Sequence, residues 1–216
     1  RVPLRVQFLT FNFFYCMLNL MIIVDIETTG TNPSAHSIIS IGAVDMDDPT
    51  REFKETCRAF PVATVEKEAT VINGVSQEEA FNEDRQTDEE ILKHFIVWMK
   101  DSRDHTVAGQ NPHFDVSFLE ATAKRYHLDI SIPHRIIDMH SMTILHMANR
   151  GINYPVAHNR SDLNSDKIME YVGIPAEVRP HVAINGARIE AEAISRLLWN
   201  KSFYEEYEQY AIPWKI

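Results

Sequence analysis

Ile22-Ile23-Val24-Asp25-Ile26-Glu27-Thr28-Thr29-Gly30-Thr31-Asn32-Pro33 is the stretch that decides how this chain is read. Ile22 to Ile26 is a short run rich in β-branched residues, the composition of a buried strand. Thr28 to Pro33 then breaks the pattern with glycine, asparagine and proline, which is loop punctuation. Residues two apart in a strand point to the same face. Asp25 and Glu27 therefore project two carboxylates side by side at the end of an apolar strand. Two adjacent charges withdrawn from water repel, and each costs roughly several kcal/mol to desolvate. A divalent cation removes both penalties, and hard oxygen ligands favour magnesium or manganese over zinc. The plainer reading of the same residues is a strand end that has reached solvent. The Thr28-Thr29-Gly30 loop adds a tight turn whose backbone can approach a substrate closely.

Outward from this stretch, Ile38 to Val44 reads as a second strand closed by Asp47-Asp48-Pro49-Thr50, and Glu52 to Phe60 as a third, with Phe53, Cys57 and Ala59 on one face. The period then changes. Ile91, Leu92, Phe95, Ile96, Trp98 and Met99 form a helical stripe within Thr87 to Lys100, opened by a capping box of Thr87 and Glu90. Thr106 to Gly109 is a short strand, and Pro112 sits in the first turn of the helix that follows it. Arg135 to Asp138 is a further strand, with a helix to about Ala148 that Asp138 is expected to cap. Leu163 to Tyr171 is a helix ended by Gly173, and Gly186 to Trp199 is the last strong helix. Strands first, then strands alternating with helices, make an α/β fold with a mixed central sheet flanked by helices.

The 216 residues include 21 Lys and Arg against 31 Asp and Glu, a formal net charge of −10, with 44 % hydrophobic residues. A disordered or collagen-like chain is excluded. A chain of this length buries about 70 % of its unfolded surface, so residues 21–216 are read as one domain. Two cysteines, Cys16 and Cys57, exclude a disulfide scaffold and point to a reducing, cytoplasmic setting. The acidic balance excludes coating nucleic acid by bulk positive charge, but not holding a nucleic-acid end through bound cations. Residues 1–20 are read as an apolar, non-native or poorly structured leader ahead of a start at Met21 or Met17. Gln7, Thr10, Asn12 and Asn19 interrupt its apolar run, and no small-residue cleavage site follows. No membrane association is expected; a signal anchor is the competing reading.

A second acid, Asp115, lies in Asn111-Pro112-His113-Phe114-Asp115-Val116-Ser117-Phe118-Leu119, at a helix start beyond a strand end. There it either caps the helix dipole or joins Asp25 and Glu27 as a third ligand, since ligands gather near strand ends in α/β sheets. Together with His181-Val182-Ala183-Ile184-Asn185-Gly186-Ala187, these motifs resemble, in order and spacing, those of the histidine-type DEDD 3′→5′ exonucleases, of ribonuclease H-like fold. Val71-Ile72-Asn73-Gly74-Val75-Ser76 resembles a further loop of that family, with Asn73 where histidine is usual. The resemblance covers about residues 21–200. It implies two divalent cations, magnesium or manganese, held by Asp25, Glu27 and Asp115, with His181 as general base on the attacking water. It also places Thr28, Thr29, Asn73, Gly74 and Asn111 beside the substrate end. Nucleic acid 3′ ends are then the partner, and the absence of a long Lys/Arg run suits short or single-stranded ends.

The pattern breaks at position 186, where the resemblance calls for a fourth carboxylate and the chain has glycine. Glu190 lies one helical turn further on the same face and is expected to replace it, whereas Glu192 points elsewhere. The competing readings are a catalytically weak nucleic-acid-binding module on the same fold and an internally cutting hydrolase. His158 and Asp162 form a rival histidine–acid pair, read as surface or a substrate-side loop.

Overall fold

The computed structural model describes residues 21–215, so the leader lies outside the described residues. Strands β1 (Ile22–Thr28), β2 (Ile38–Asp45) and β3 (Asp48–Thr56) form an antiparallel meander. On the other side of β1, strands β4 (Val107–Gly109) and β5 (Ile136–Asp138) add in parallel, giving the five-stranded order β3-β2-β1-β4-β5. The mixed sheet expected from the sequence is the one observed. Helices α1 (Lys67–Asn73) and α2 (Gln77–Ala80) follow the meander, and α3 (Asp88–Lys100) and α4 (Pro112–Arg125) flank β4. Helices α5 (Met139–Asn149), α6 (Ser165–Val172) and α7 (Ala183–Trp199) complete the domain. Among the described residues no helix is long and apolar enough to cross a membrane.

Strand alternation divides the core between the two faces. Ile22, Val24 and Ile26 of β1 pack with residues of α3 and α4, while Ile23 packs with residues of α5, α6 and α7. Asp25 and Glu27 share Ile23's parity and so face the α7 side. Gly42 of β2 is the register partner of Asp25, and a Cβ there would stand 2.2 Å from the Ala183 carbonyl carbon. Glycine thus lets the first turn of α7 rest directly on the sheet backbone.

Several boundaries differ from the sequence reading. Helix α7 starts at Ala183, three residues before Gly186, because Val182 serves as its N-cap and its carbonyl accepts from the Asn185 and Gly186 N–H groups. Glycine weakens a helix locally, but here the close approach to the sheet demands it. Strand β3 starts at Asp48 and takes in Pro49, read earlier as loop; β3 is a sheet edge, where a missing N–H is tolerated. It ends at Thr56, so buried Cys57 and Ala59 lie beyond it. The loop carrying His158 contains a small hairpin, β6 (Val156–Ala157) and β7 (Arg160–Ser161), turned by His158 and Asn159 with φ of 50° and 59°. The two-sided capping box of Thr87 and Glu90 and the Asp138 cap of α5 are as expected.

The end of α7 is fastened by a buried ion pair. Arg196, fully buried, donates from Nε to Glu192 Oε1 at 2.6 Å. Its other nitrogens donate to the Val172, Tyr207 and Tyr210 carbonyls and to Ser202. Glu192 Oε2 in turn accepts the N–H groups of Phe203 and Tyr204.

Candidate active site

Strands β1 and β4 pair at only two register positions, Ile22–Val107 and Ile23–Ala108, and then part. In the gap, Asp115 of α4 accepts the Ile26 N–H at 3.1 Å, a donor that a longer β4 would have taken. The entry into α4 is set by Asn111, whose left-handed conformation (φ 55°) aims the chain back toward the sheet and whose N–H donates to Asp138 Oδ1 at 3.2 Å. Glu190 reaches the same gap from α7 and accepts the Gln110 N–H at 3.0 Å. Asp25 stands beneath Gly186, where a Cβ would lie 2.1 Å from Asp25 Oδ2. No side chain fits at 186 while Asp25 keeps this position.

These carboxylates perturb one another. Burial first, then the charges of Glu190, Asp115, Glu27 and Glu177, push Asp25 well above the usual carboxylate range. Burial, followed by Glu177, raises Glu27 to about 7. Asp115 is raised by burial and by Glu27, against the lowering effect of the N–H groups it accepts. Glu190 is raised by burial and by Asp115, opposed by the Gln110 N–H. Unneutralised acids held together in this way make this gap the candidate functional site, because folding alone selects against them. Among the described residues no group of three or more His, Cys, Asp or Glu side chains is arranged as an ion site.

His181 lies in the segment joining α6 to α7. Its N–H donates to the Ile72 carbonyl at the end of α1, and the residue lines a cavity of about 160 Å³ together with Glu27, Asn73, Lys54 and Arg85. Its Nδ1 is 3.5 Å from Glu177 Oε2. The sequence reading did not single out Glu177; its only signal is the four-residue spacing to His181, in a loop where periodicity carries no information.

A second cavity, of about 230 Å³, is lined by Glu27, Thr28, Gly30, Ile72, Asn73 and Phe114 among others. Of the substrate-side residues expected from sequence, Thr28 and Asn73 line it, whereas Thr29, Gly74 and Asn111 do not. The Asn73 amide donates to the Thr28 carbonyl at 3.0 Å, and Thr29 Oγ1 accepts the Ser37 N–H, so both side chains hold the loop's shape. Gly74 caps α1 in a left-handed turn, with Pro180 against it. In the rival pair, His158 is exposed and Asp162 pairs with Lys167.

Residues 22–194 match the profile of the RNase_T exonuclease family. The chain belongs to that exonuclease family. Among curated relatives it is 25 % identical over 178 residues to the PolC-type DNA polymerase III of Thermotoga petrophila, matching 82 % of this chain and 12 % of the polymerase. The chain thus spans about an eighth of that relative's length. Among solved structures, the rAMP-bound nuclease domain of 3′hExo, a DEDDh family member, superposes with a TM-score of 0.66 at 16 % identity, covering 92 % of this chain and 98 % of that one. Exonuclease I of Methylocaldum szegediense gives 0.64 at 21 % identity, covering 85 % and 41 %. The fold of this exonuclease-family chain is the ribonuclease H-like α/β fold of those enzymes.

Proposed function

We propose that this chain is a metal-dependent 3′→5′ exonuclease that removes nucleotides from single-stranded or short DNA or RNA ends, with residues 21–216 acting as one domain. The observation that carries the reading is the convergence of Asp25, Glu27, Asp115 and Glu190 where β1 and β4 part, each raised by burial and by other acids. An all-oxygen donor set of this kind fits two hard divalent cations, Mg²⁺ or Mn²⁺. Bound there, such a pair supplies an activated water and neutralises charge on the leaving oxygen.

The protein's own groups do the rest. Glu190 supplies the carboxylate that position 186 lacks, reaching over a glycine whose bareness leaves room for Asp25. His181 takes the proton of the attacking water, a task suited to the basic ring nitrogen of a neutral imidazole. Thr28 and Asn73 shape the cavity for the terminal nucleotide, with Thr29, Gly74 and Asn111 holding its walls. The similar nuclease domain of 3′hExo binds rAMP, a mononucleotide like the product such a reaction releases. Hydrolysis is favoured over a binding module because a site relieved of catalysis has no reason to keep four mutually repelling acids.

The test is to incubate the full chain with Mn²⁺ and 5′-labelled single-stranded DNA or RNA of one sequence. A ladder shortening from the 3′ end, absent in Asp25→Ala, is expected. Intact substrate with both sugars overturns the reading, and internal fragments reassign the chain as an endonuclease.

A further inference from the structure

Glu177 belongs to none of the sequence motifs, yet both of its carboxylate oxygens face the His181 segment. Oε2 is 3.5 Å from His181 Nδ1, and Oε1 accepts the Val182 N–H at 3.4 Å. The His181 backbone is already tied from the opposite side, through its N–H to the Ile72 carbonyl at 3.0 Å. With the backbone anchored at both ends, the ring retains only its side-chain torsions, and the Glu177 contact restricts those. The pair is not a surface ornament: the Glu177 side chain is 14 % exposed and that of His181 30 %. Exposed ion pairs contribute little, whereas a sheltered carboxylate strongly orients a donor.

A neutral imidazole has one donor nitrogen and one acceptor nitrogen, and the partner of the first decides which is which. At 3.5 Å the two stand at ion-pair distance, just beyond an ordinary hydrogen bond; a carboxylate offers only acceptor oxygens, so closing that contact places the proton on Nδ1 and leaves Nε2 the free lone pair. We propose that Glu177 is a positioning residue: it holds His181 as the Nδ1–H tautomer, with Nε2 free to accept a proton, and acts on turnover through His181 rather than as a cation ligand. The tautomer stands by itself; the effect on turnover rests on the exonuclease reading above.

Two measurements on the full chain decide this. In long-range ¹H–¹⁵N NMR, with His181→Ala assigning the signals, neutral His181 is expected as Nδ1–H in the native chain and to lose that preference in Glu177→Ala. Finding His181 predominantly Nε2–H in the native chain overturns the proposal, whether or not the chain is a nuclease. In steady-state turnover, Glu177→Ala is expected to lower kcat about 10- to 100-fold with KM unchanged, as loss of an orienting partner does. Glu177→Asp, which keeps the acceptor, is expected to recover part of kcat. Adding Glu177→Ala to His181→Ala is expected to cost nothing further. A second loss there as large as in the native background shows that Glu177 acts on the acids or their cations, and overturns the assignment. A chain without nuclease activity leaves the NMR result to decide alone.

Discussion

Glu190 and Glu192 stand two residues apart on α7, both buried, and their surroundings are opposite. Glu192 faces the end of the helix, where fully buried Arg196 and two backbone N–H groups meet its oxygens. Glu190 faces the gap between β1 and β4, where one backbone N–H meets it and the neighbouring charges are acids. Both carboxylates have left water. One is compensated by an arginine and two N–H groups, and the other is met by a single N–H among further acids. On the exonuclease reading proposed above, the difference separates a structural buried charge from a functional one more sharply than burial or sequence position does.

The largest effect expected is on the compensated side. Glu192→Ala leaves Arg196 buried without its counter-charge and should cost about 3–5 kcal/mol in denaturant unfolding. Turnover per folded molecule should be unchanged. A loss under 1 kcal/mol, on the order of an exposed pair, would erase the contrast.

Glu190→Gln should do the reverse. Its amide oxygen can still accept the Gln110 N–H, and a like charge is gone, so thermal stability in EDTA should hold or rise. Metal-dependent turnover should fall roughly 10²- to 10³-fold, as when a preorganised electrostatic partner is lost. Unchanged turnover would show that Glu190 is not the replacement acid.

Gly186→Ala sharpens the same point from beneath. Alanine is the better helix former by about 1 kcal/mol, yet its Cβ falls 2.1 Å from Asp25 Oδ2. Displacing that carboxylate should lower turnover roughly 10²-fold, and a crystal structure of the variant should show Asp25 moved.

The smallest effect is in pH. Glu27 rises from 4.5 to about 7 on folding, so the folded chain binds the extra proton. Its contribution to stability is therefore full below pH 4.5 and lost as pH rises through about 7. In EDTA, Glu27→Gln should gain melting temperature over the native chain between about pH 5 and about pH 8. Mn²⁺ should narrow the gap by stabilising the native site more than the variant's. A difference independent of pH would mean that Glu27 titrates normally.

Much of the fold was legible because its signals are local. The Ile22–Ile26 run, the Thr87–Glu90 capping box and Pro112 at a helix start each act within a few residues, and each appears where read. The glycines at the sheet–helix contact were not legible in that way. Gly186 was read as the opening of a helix, when its reason is the carboxylate beneath it. Pro49 was read as loop because nothing local says that β3 is an edge. Glu177 was missed because its relation to His181 crosses a loop with no periodicity.

By itself the sequence determined the strand that carries Asp25 and Glu27, the helix start that carries Asp115, and the spacing that puts Glu190 one turn beyond Gly186. Period and capping act along the chain, so they can be read along it. The i,i+4 spacing of Glu192 and Arg196 is likewise written in the chain. Only the tertiary structure decided that β4 ends after two pairs with β1, that the gap so opened collects three elements' acids, and that the Phe203 and Tyr204 N–H groups close on Glu192 while acids surround Glu190. Those outcomes depend on which buried charges finish next to one another, and Coulomb energy in a water-poor interior is set by distance in space, not by separation along the chain.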